Sequence, residues 1–227
     1  MPFKTLAKFG KKKNNEEVLE DYVEEKEEVD VSELVISTIK GRRSVRNYQK
    51  RNVNNKLIMK ILESARFAPS SGNYQPWEFI VVRNPKTKEN LVEACYNQKW
   101  MMDAPVFIIA CTNMRLAGAI YGQRGLRLYG TQAIAAAVEN ILLTAEALGL
   151  ATCWVGAFSE IMVSRILDCP EYVRPSAIIT LGYAVRKPIA PVRHPIENFV
   201  HLEKFGNTLQ MEQLKKEQKP TYMKFKG

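Results

Sequence analysis

Three guanidiniums and a hydroxyl fall within five residues in the stretch GRRSVRNY (41–48): Arg42, Arg43, Ser44 and Arg46. Guanidinium is charged at any physiological pH and forks onto oxyanions in bidentate pairs. Set just past a helix end, such a run can surround a phosphate and the chain that carries it, each charge-assisted bond contributing about 1.5–3 kcal/mol. Taken alone, the same residues also read as a solvated basic face. A second stretch, ARFAPSSGNYQPWEF (65–79), joins Pro69, Gly72 and Pro76 to the polar side chains of Ser70, Ser71, Asn73 and Gln75 and closes on Trp77. Fixed φ at proline and free φ at glycine account for a loop there. They do not account for the hydrogen-bonding side chains in it.

Other chemistries find little support. Neither Gly-x-Gly-x-x-Gly nor a P-loop occurs, and Gly122, Gly125 and Gly130 have the wrong spacing for either. Cys95, Cys111, Cys153 and Cys169 include no Cys-x-x-Cys pair, and His194 and His201 are not in zinc-type spacing, so no metal site is expected. The thiols read as small buried hydrophobes of a reducing compartment. No nucleophile–base constellation stands out, and no catalytic side chain is assigned.

Residues 31–204 contain 22 basic and 13 acidic residues, and so equal the net charge of the whole 227-residue chain, +9. A basic body suits phosphate-bearing partners, whether nucleic acid or small phosphorylated ligands. No apolar run approaches the ~20 residues that span a bilayer, and the N-terminus lacks a continuous apolar segment of signal-peptide type. A cytoplasmic protein without integral membrane association is expected. The expected organisation is a charged arm over 1–30, one folded domain over 31–204 and a basic tail over 205–227. The arm opens with Phe3, Leu6 and Phe9 at helical spacing among lysines, which suits a membrane-surface anchor or, more plainly, a mobile or partner-draped segment.

The elements that must position the two polar stretches follow from apolar periodicity. Helices are predicted over VSELVISTIK (31–40), capped by Asp30 or Ser32 and stopped by Gly41, and over 54–68, with Leu57, Ile58, Ile61, Leu62 and Ala65 on one side. A short helix around 85–96 and another capped by Ser159 are also expected, as is a long alanine-rich central helix over 126–149 stopped by Gly149. Strands are predicted over 77–82, 104–112, 151–158 and 176–185. The alternation indicates an α/β or α+β body.

The run Arg-Arg-Ser-x-Arg, a helix, then Ala-Pro-Ser-Ser-x-Asn-x-Gln-Pro-Trp leading into a strand resembles the nitroreductase family of FMN-dependent NAD(P)H oxidoreductases, of the archaeal and bacterial type. YNQKWMMDAPVFIIAC, ENILLTAEALGLATCWVGAF and GYAVRKPIAPVRHPIENFVH are similar to later segments of that family, so the resemblance covers roughly 31–203. It implies an α+β, three-layer α/β/α sandwich around a mixed, mainly antiparallel sheet, with the long central helix at a homodimer interface. It further implies that Arg42, Arg43 and Ser44 hold the FMN phosphate and ribityl oxygens, with Arg193, and Lys187 beside it, closing over the phosphate. Arg46 matches a basic position near the flavin N1–C2 carbonyl edge. Pro69, Ser70, Ser71 and Asn73 match a loop that reaches the flavin from the other subunit, with Gln75 and Trp77 anchoring it; an ordinary core aromatic is the simpler reading of Trp77. Asn97 matches a position that hydrogen-bonds the pyrimidine. Gly156 and Ala157 match backbone positions beside the dimethylbenzene–N5 side. Some members carry a glutamate where Gly156 stands, so the choice between NADH and NADPH stays open.

The resemblance implies a ping-pong reaction in which NAD(P)H reduces the flavin and a nitroaromatic, quinone or related small acceptor reoxidises it. Tyr121, Arg124 and Tyr129 could line the acceptor wall. Two alternatives remain open at this point: a dehalogenase or flavin-destructase chemistry on the same fold, and a basic nucleic-acid-binding protein without catalysis. Against the second, no helix-turn-helix, zinc motif or aromatic-interleaved basic strand occurs.

Overall fold

A side-chain cap precedes most of the apolar-periodic segments that form helices. The computed structural model describes residues 30–208. The Asp30 carboxylate accepts the Ser32 and Glu33 amides ahead of α1 (Val31–Gly41), Asn54 caps α2 (Asn55–Ala65), and Asn84 followed by Pro85 opens α3 (Pro85–Ala94). Asn113 caps α4 (Met114–Gly118), which leads through α5 (Gly122–Arg124) and a π-helical turn at Gly125–Tyr129 into α6 (Gly130–Ala147). Ser159 caps α7 (Glu160–Ile166) as expected. The arm over 1–30 (Asp30 apart), and the tail beyond residue 208, lie outside the described residues.

Four strands form one sheet in the order β1-β2-β4-β3: β1 (Trp77–Val82), β2 (Val106–Asn113), β3 (Ala151–Val155) and β4 (Val173–Gly182). Every strand pair is antiparallel. Among the described residues the parallel component of the expected mixed sheet is a single bridge, Ser44 beside Thr152. On one face α2 and α6 cover Ile108, Ile179 and Leu181, contributing Ile58, Ile61, Ile134, Ala137 and Ile141. On the other, Leu91, Val92, Met101 and Val163 close over Phe107, Ile109 and Ile178. These are the three layers the resemblance implied.

Several boundaries differ from expectation. β3 ends at Val155, which leaves Gly156–Phe158 outside the sheet. β4 starts at Val173 and runs through Pro175, because the register shifts between Ala110 and Cys111 and the bulge absorbs the missing proline N–H. The long helix begins as the π-helical turn rather than as regular α-helix. Helix α1 departs in burial: Leu34, Val35 and Ile39 are 57%, 56% and 53% exposed, and no residue of the helix is buried. Among the described residues no helix is long and apolar enough to cross a membrane.

Cys95, Cys111 and Cys153 are buried and all four described cysteines are free. Burial pushes the Cys95 and Cys111 thiols up to about 12 from an ordinary value of 9.0. In the native chain both should resist a water-soluble disulfide reagent at pH 8, whereas the urea-unfolded chain should react at all four. The folded thiols keep their protons to higher pH than the unfolded ones, so the stability they contribute is complete below pH 9 and falls as pH climbs toward 12. A urea midpoint that falls over that interval checks this.

Candidate functional site

The run 42–46 leaves α1 and lies along the open edge of β3. Val45 is buried, its amide donates to the Thr152 carbonyl at 2.9 Å, and Ser44 pairs with Thr152. Side chains alternate across extended backbone, so burying Val45 turns Ser44 and Arg46 outward, and both are exposed. Arg43 donates to the Lys40 and Arg42 carbonyls at 2.6 and 2.7 Å, closing the carboxyl end of α1 with a cation.

Arg42, Arg43, Ser44 and Arg46 line a cavity of about 220 Å³, with Pro188, Ile189, Pro191 and Arg193 as its other wall. Four guanidiniums from two distant segments thus face one space. Among the described residues the single carboxylate in ion-pair reach of them is Glu139, whose Oε1 is 3.8 Å from the Arg42 Nε. Lys187 is not part of this wall; its ammonium pairs with Glu146 of α6. Burial raises the Cys153 thiol, and Arg46, Ser44 and Arg42 beside it pull the other way.

The Arg46 guanidinium sits over the Trp100 ring, 5.6 Å from its centroid. Two residues before Trp100, Gln98 donates from its side chain to the Ala157 carbonyl at 3.2 Å. These contacts join the arginine run, the turn after α3 and the Gly156–Ala157 segment. Asn97 lies in that turn at φ +58°, past the end of α3, and it is exposed. A Cβ built on Gly156 would meet only Trp154 Nε1, at 3.8 Å, so there is open space above this backbone. Trp100, Gln98 and Glu139 were missed from sequence: their roles depend on contacts between segments, and no local motif announces them.

The loop 69–73 stands apart. Gly72, Asn73 and Gln75 have φ of +59°, +55° and +50°, and the clustering of left-handed residues marks a loop held in one shape. Ser70 Oγ accepts the Gln75 amide at 3.0 Å, and the Gln75 side chain reaches Asn73 Oδ1 at 3.3 Å. Beyond them, the Asn113 amide ties the Pro76 carbonyl to the end of β2 at 2.7 Å, and Trp77 is half-buried against the core. Pro69, Ser70 and Ser71 line a cavity of about 380 Å³ with Tyr129, Gln132, Ala133 and Ala136 of the helix 125–147. Tyr121 and Tyr129 meet edge to face nearby, and Arg124 Nε donates to the Tyr129 hydroxyl at 2.7 Å. This cavity shares no residue with the arginine cavity. One chain therefore carries two separate polar cavities.

The arginine cavity fits a phosphate monoester: its donors are fixed cations with one partly exposed carboxylate to balance them, and a hydroxyl stands among them.

The model of the Nitroreductase family matches residues 39–100 and 93–183. A Methanothermobacter thermautotrophicus protein named "Putative NADH dehydrogenase/NAD(P)H nitroreductase" is 40% identical over 158 residues, covering 68% of this chain and 79% of the relative. The solved structure of Bacillus megaterium NfrA2 superposes with a TM-score of 0.70 at 30% identity, over 75% of this chain and 74% of that one. An FMN-dependent nitroreductase from Clostridium difficile superposes with a TM-score of 0.65 at 25% identity, over 75% of this chain and 99% of the other.

Arg193 comes from an exposed segment 147 positions after Arg46, so its loss tests whether the cavity is assembled as described. Arg193→Ala should weaken FMN binding about 10-fold or more, read by quenching of flavin fluorescence, and leave the melting temperature of the flavin-free protein unchanged. Arg66→Ala, which removes an exposed pair with Glu63, should leave binding unchanged.

Proposed function

The chain belongs to the nitroreductase family and is an oxidoreductase, and we propose that it holds FMN and passes electrons from NAD(P)H to nitroaromatic, quinone or related small acceptors. The observation that carries this reading is the convergence of Arg42, Arg43, Ser44, Arg46 and Arg193 on one cavity. Bound FMN would supply hydride-transfer chemistry for a donor and an acceptor in turn. The chain supplies binding, orientation and charge. Arg42, Arg43, Ser44 and Arg193 hold the phosphate and ribityl oxygens. Arg46, braced on Trp100, keeps a cation at the pyrimidine side, where negative charge gathers on reduction. Asn97 would hydrogen-bond that side, and Gly156 and Ala157 would border the opposite one. Protons come from solvent.

The working unit is a homodimer in which Pro69, Ser70, Ser71 and Asn73 of one subunit complete the arginine half-site of the other. Two features support it. The two half-sites of one chain line separate cavities. The apolar residues of α1 and the groove they form with Leu143 and Ala147 lie open, although an 11-residue helix is marginal without a packed face. A cytoplasmic setting agrees with the four free thiols.

Purified protein should be yellow and sediment as a dimer with two FMN. Anaerobic NADH or NADPH should bleach it, and nitroaromatics, quinones or enones should restore the colour in separate turnovers. Colourless protein whose melting ignores added FMN would overturn the reading. Val35→Asp, on the exposed face of α1, should give a folded monomer that no longer retains flavin.

A further inference from the structure

The arginine run needs a fixed direction, and a buried hydroxyl relay beneath it provides one. Tyr48 is 4% exposed, and its hydroxyl donates to the Val45 carbonyl at 2.7 Å. Thr180 on β4 is fully buried, and its Oγ1 lies 2.7 Å from the same phenol oxygen. The phenol proton is committed to Val45, so the threonine donates to the phenol. The Cys153 carbonyl, 3.4 Å from Thr180 Oγ1, is the weaker alternative. The ring is seated by bare backbone: a Cβ on Gly182 would stand 2.8 Å from Tyr48 Cδ1. The next residues are tied as well, Gln49 N–H to the Tyr183 carbonyl at 2.8 Å and Val185 N–H to the Asn47 carbonyl at 3.1 Å.

Val45 is therefore held at three points. Its side chain is buried, its N–H binds Thr152, and its C=O binds Tyr48. It is flanked by the two outward residues of the cavity, Ser44 and Arg46. We propose that Tyr48, backed by Thr180, is a positioning residue of the anion cavity: its hydroxyl holds the Val45 carbonyl and so sets the direction in which Ser44 and Arg46 leave the sheet. Neither residue reaches the ligand. Their effect is greatest where the phosphate adds to binding, and it rests on the reading of the arginine cavity as a phosphate site. Without the phenol hydroxyl the Val45 carbonyl is buried and unpaired, a state the backbone escapes by rotating the peptide and misdirecting its neighbours.

The test compares FMN with riboflavin, which has the same ring and ribityl chain but no phosphate. Dissociation constants are measured by fluorescence quenching for the wild type, Tyr48→Phe, Thr180→Val and Thr180→Ser. The wild type should bind FMN far more tightly than riboflavin. Tyr48→Phe should lose about 10-fold or more in FMN affinity, through Ser44 and Arg46 together, and only a smaller part of that in riboflavin affinity, through Arg46 at the ring. Thr180→Val should act in the same direction, and Thr180→Ser, which keeps the hydroxyl, should restore the wild-type ratio. Equal losses for both flavins, or an unchanged ratio in a folded Tyr48→Phe protein, would overturn the positioning role while leaving the phosphate reading intact. A wild type that binds both flavins equally would overturn the phosphate reading and the inference with it. If Tyr48→Phe does not fold, the Thr180→Val and Thr180→Ser pair decides by the same criterion.

Discussion

Guanidiniums gathered around one cavity repel one another, and the repulsion grows as water is excluded from between them. Among the described residues the nearest counter-charge, Glu139, stands 3.8 Å from one nitrogen of Arg42, with its side chain 49% exposed, and an exposed pair of that kind stabilises weakly. The cluster keeps its shape because its backbone is anchored to the sheet. The field it creates is left for an anion to neutralise. The functional reading depends on this imbalance between fixed positive charge and scarce negative charge.

The strand order explains how the imbalance is assembled. β3 is an edge strand, and the segment after α1 takes up part of its open hydrogen-bonding side at Thr152. The same segment continues to Tyr48 and Gln49, which meet Ala184 and Tyr183 just past β4. The chain leaving β4 is thereby brought back across the arginine run, and Arg193 arrives on the far wall of the cavity. Residues separated by about 150 positions become neighbours through one edge and one strand exit. The serine–asparagine loop instead faces the long helix, where Pro69, Ser70 and Ser71 share a cavity with Tyr129, Gln132, Ala133 and Ala136.

Local signals carried most of the fold. β1 begins and ends where its apolar run does, and Asn54, Asn84 and Ser159 cap helices because a polar side chain stood ahead of an amphipathic run. Pro175 hid the start of β4, since a proline reads as a strand breaker until the bulge opposite it is known. Arg42 to Arg46 and Ser70 to Asn73 were visible as clusters of chemistry. Glu139, Gln98 and Trp100 were not, because a carboxylate on a helix or a tryptophan after a turn takes on meaning only beside Arg42, Ala157 or Arg46. The exposure of α1 was equally hidden: an apolar stripe predicts a buried face without saying which molecule buries it.

The claim that one site is shared between two subunits can be tested with mixed dimers. One chain carries Arg43→Ala and Arg193→Ala, the other carries Ser70→Ala and Asn73→Ala, and each homodimer should fail to retain FMN. In a heterodimer of the two, the intact arginine cavity of the second chain faces the intact loop of the first, so one FMN per dimer should be recovered. Heterodimers that bind no flavin would show that each chain builds its site alone, and the account would be wrong.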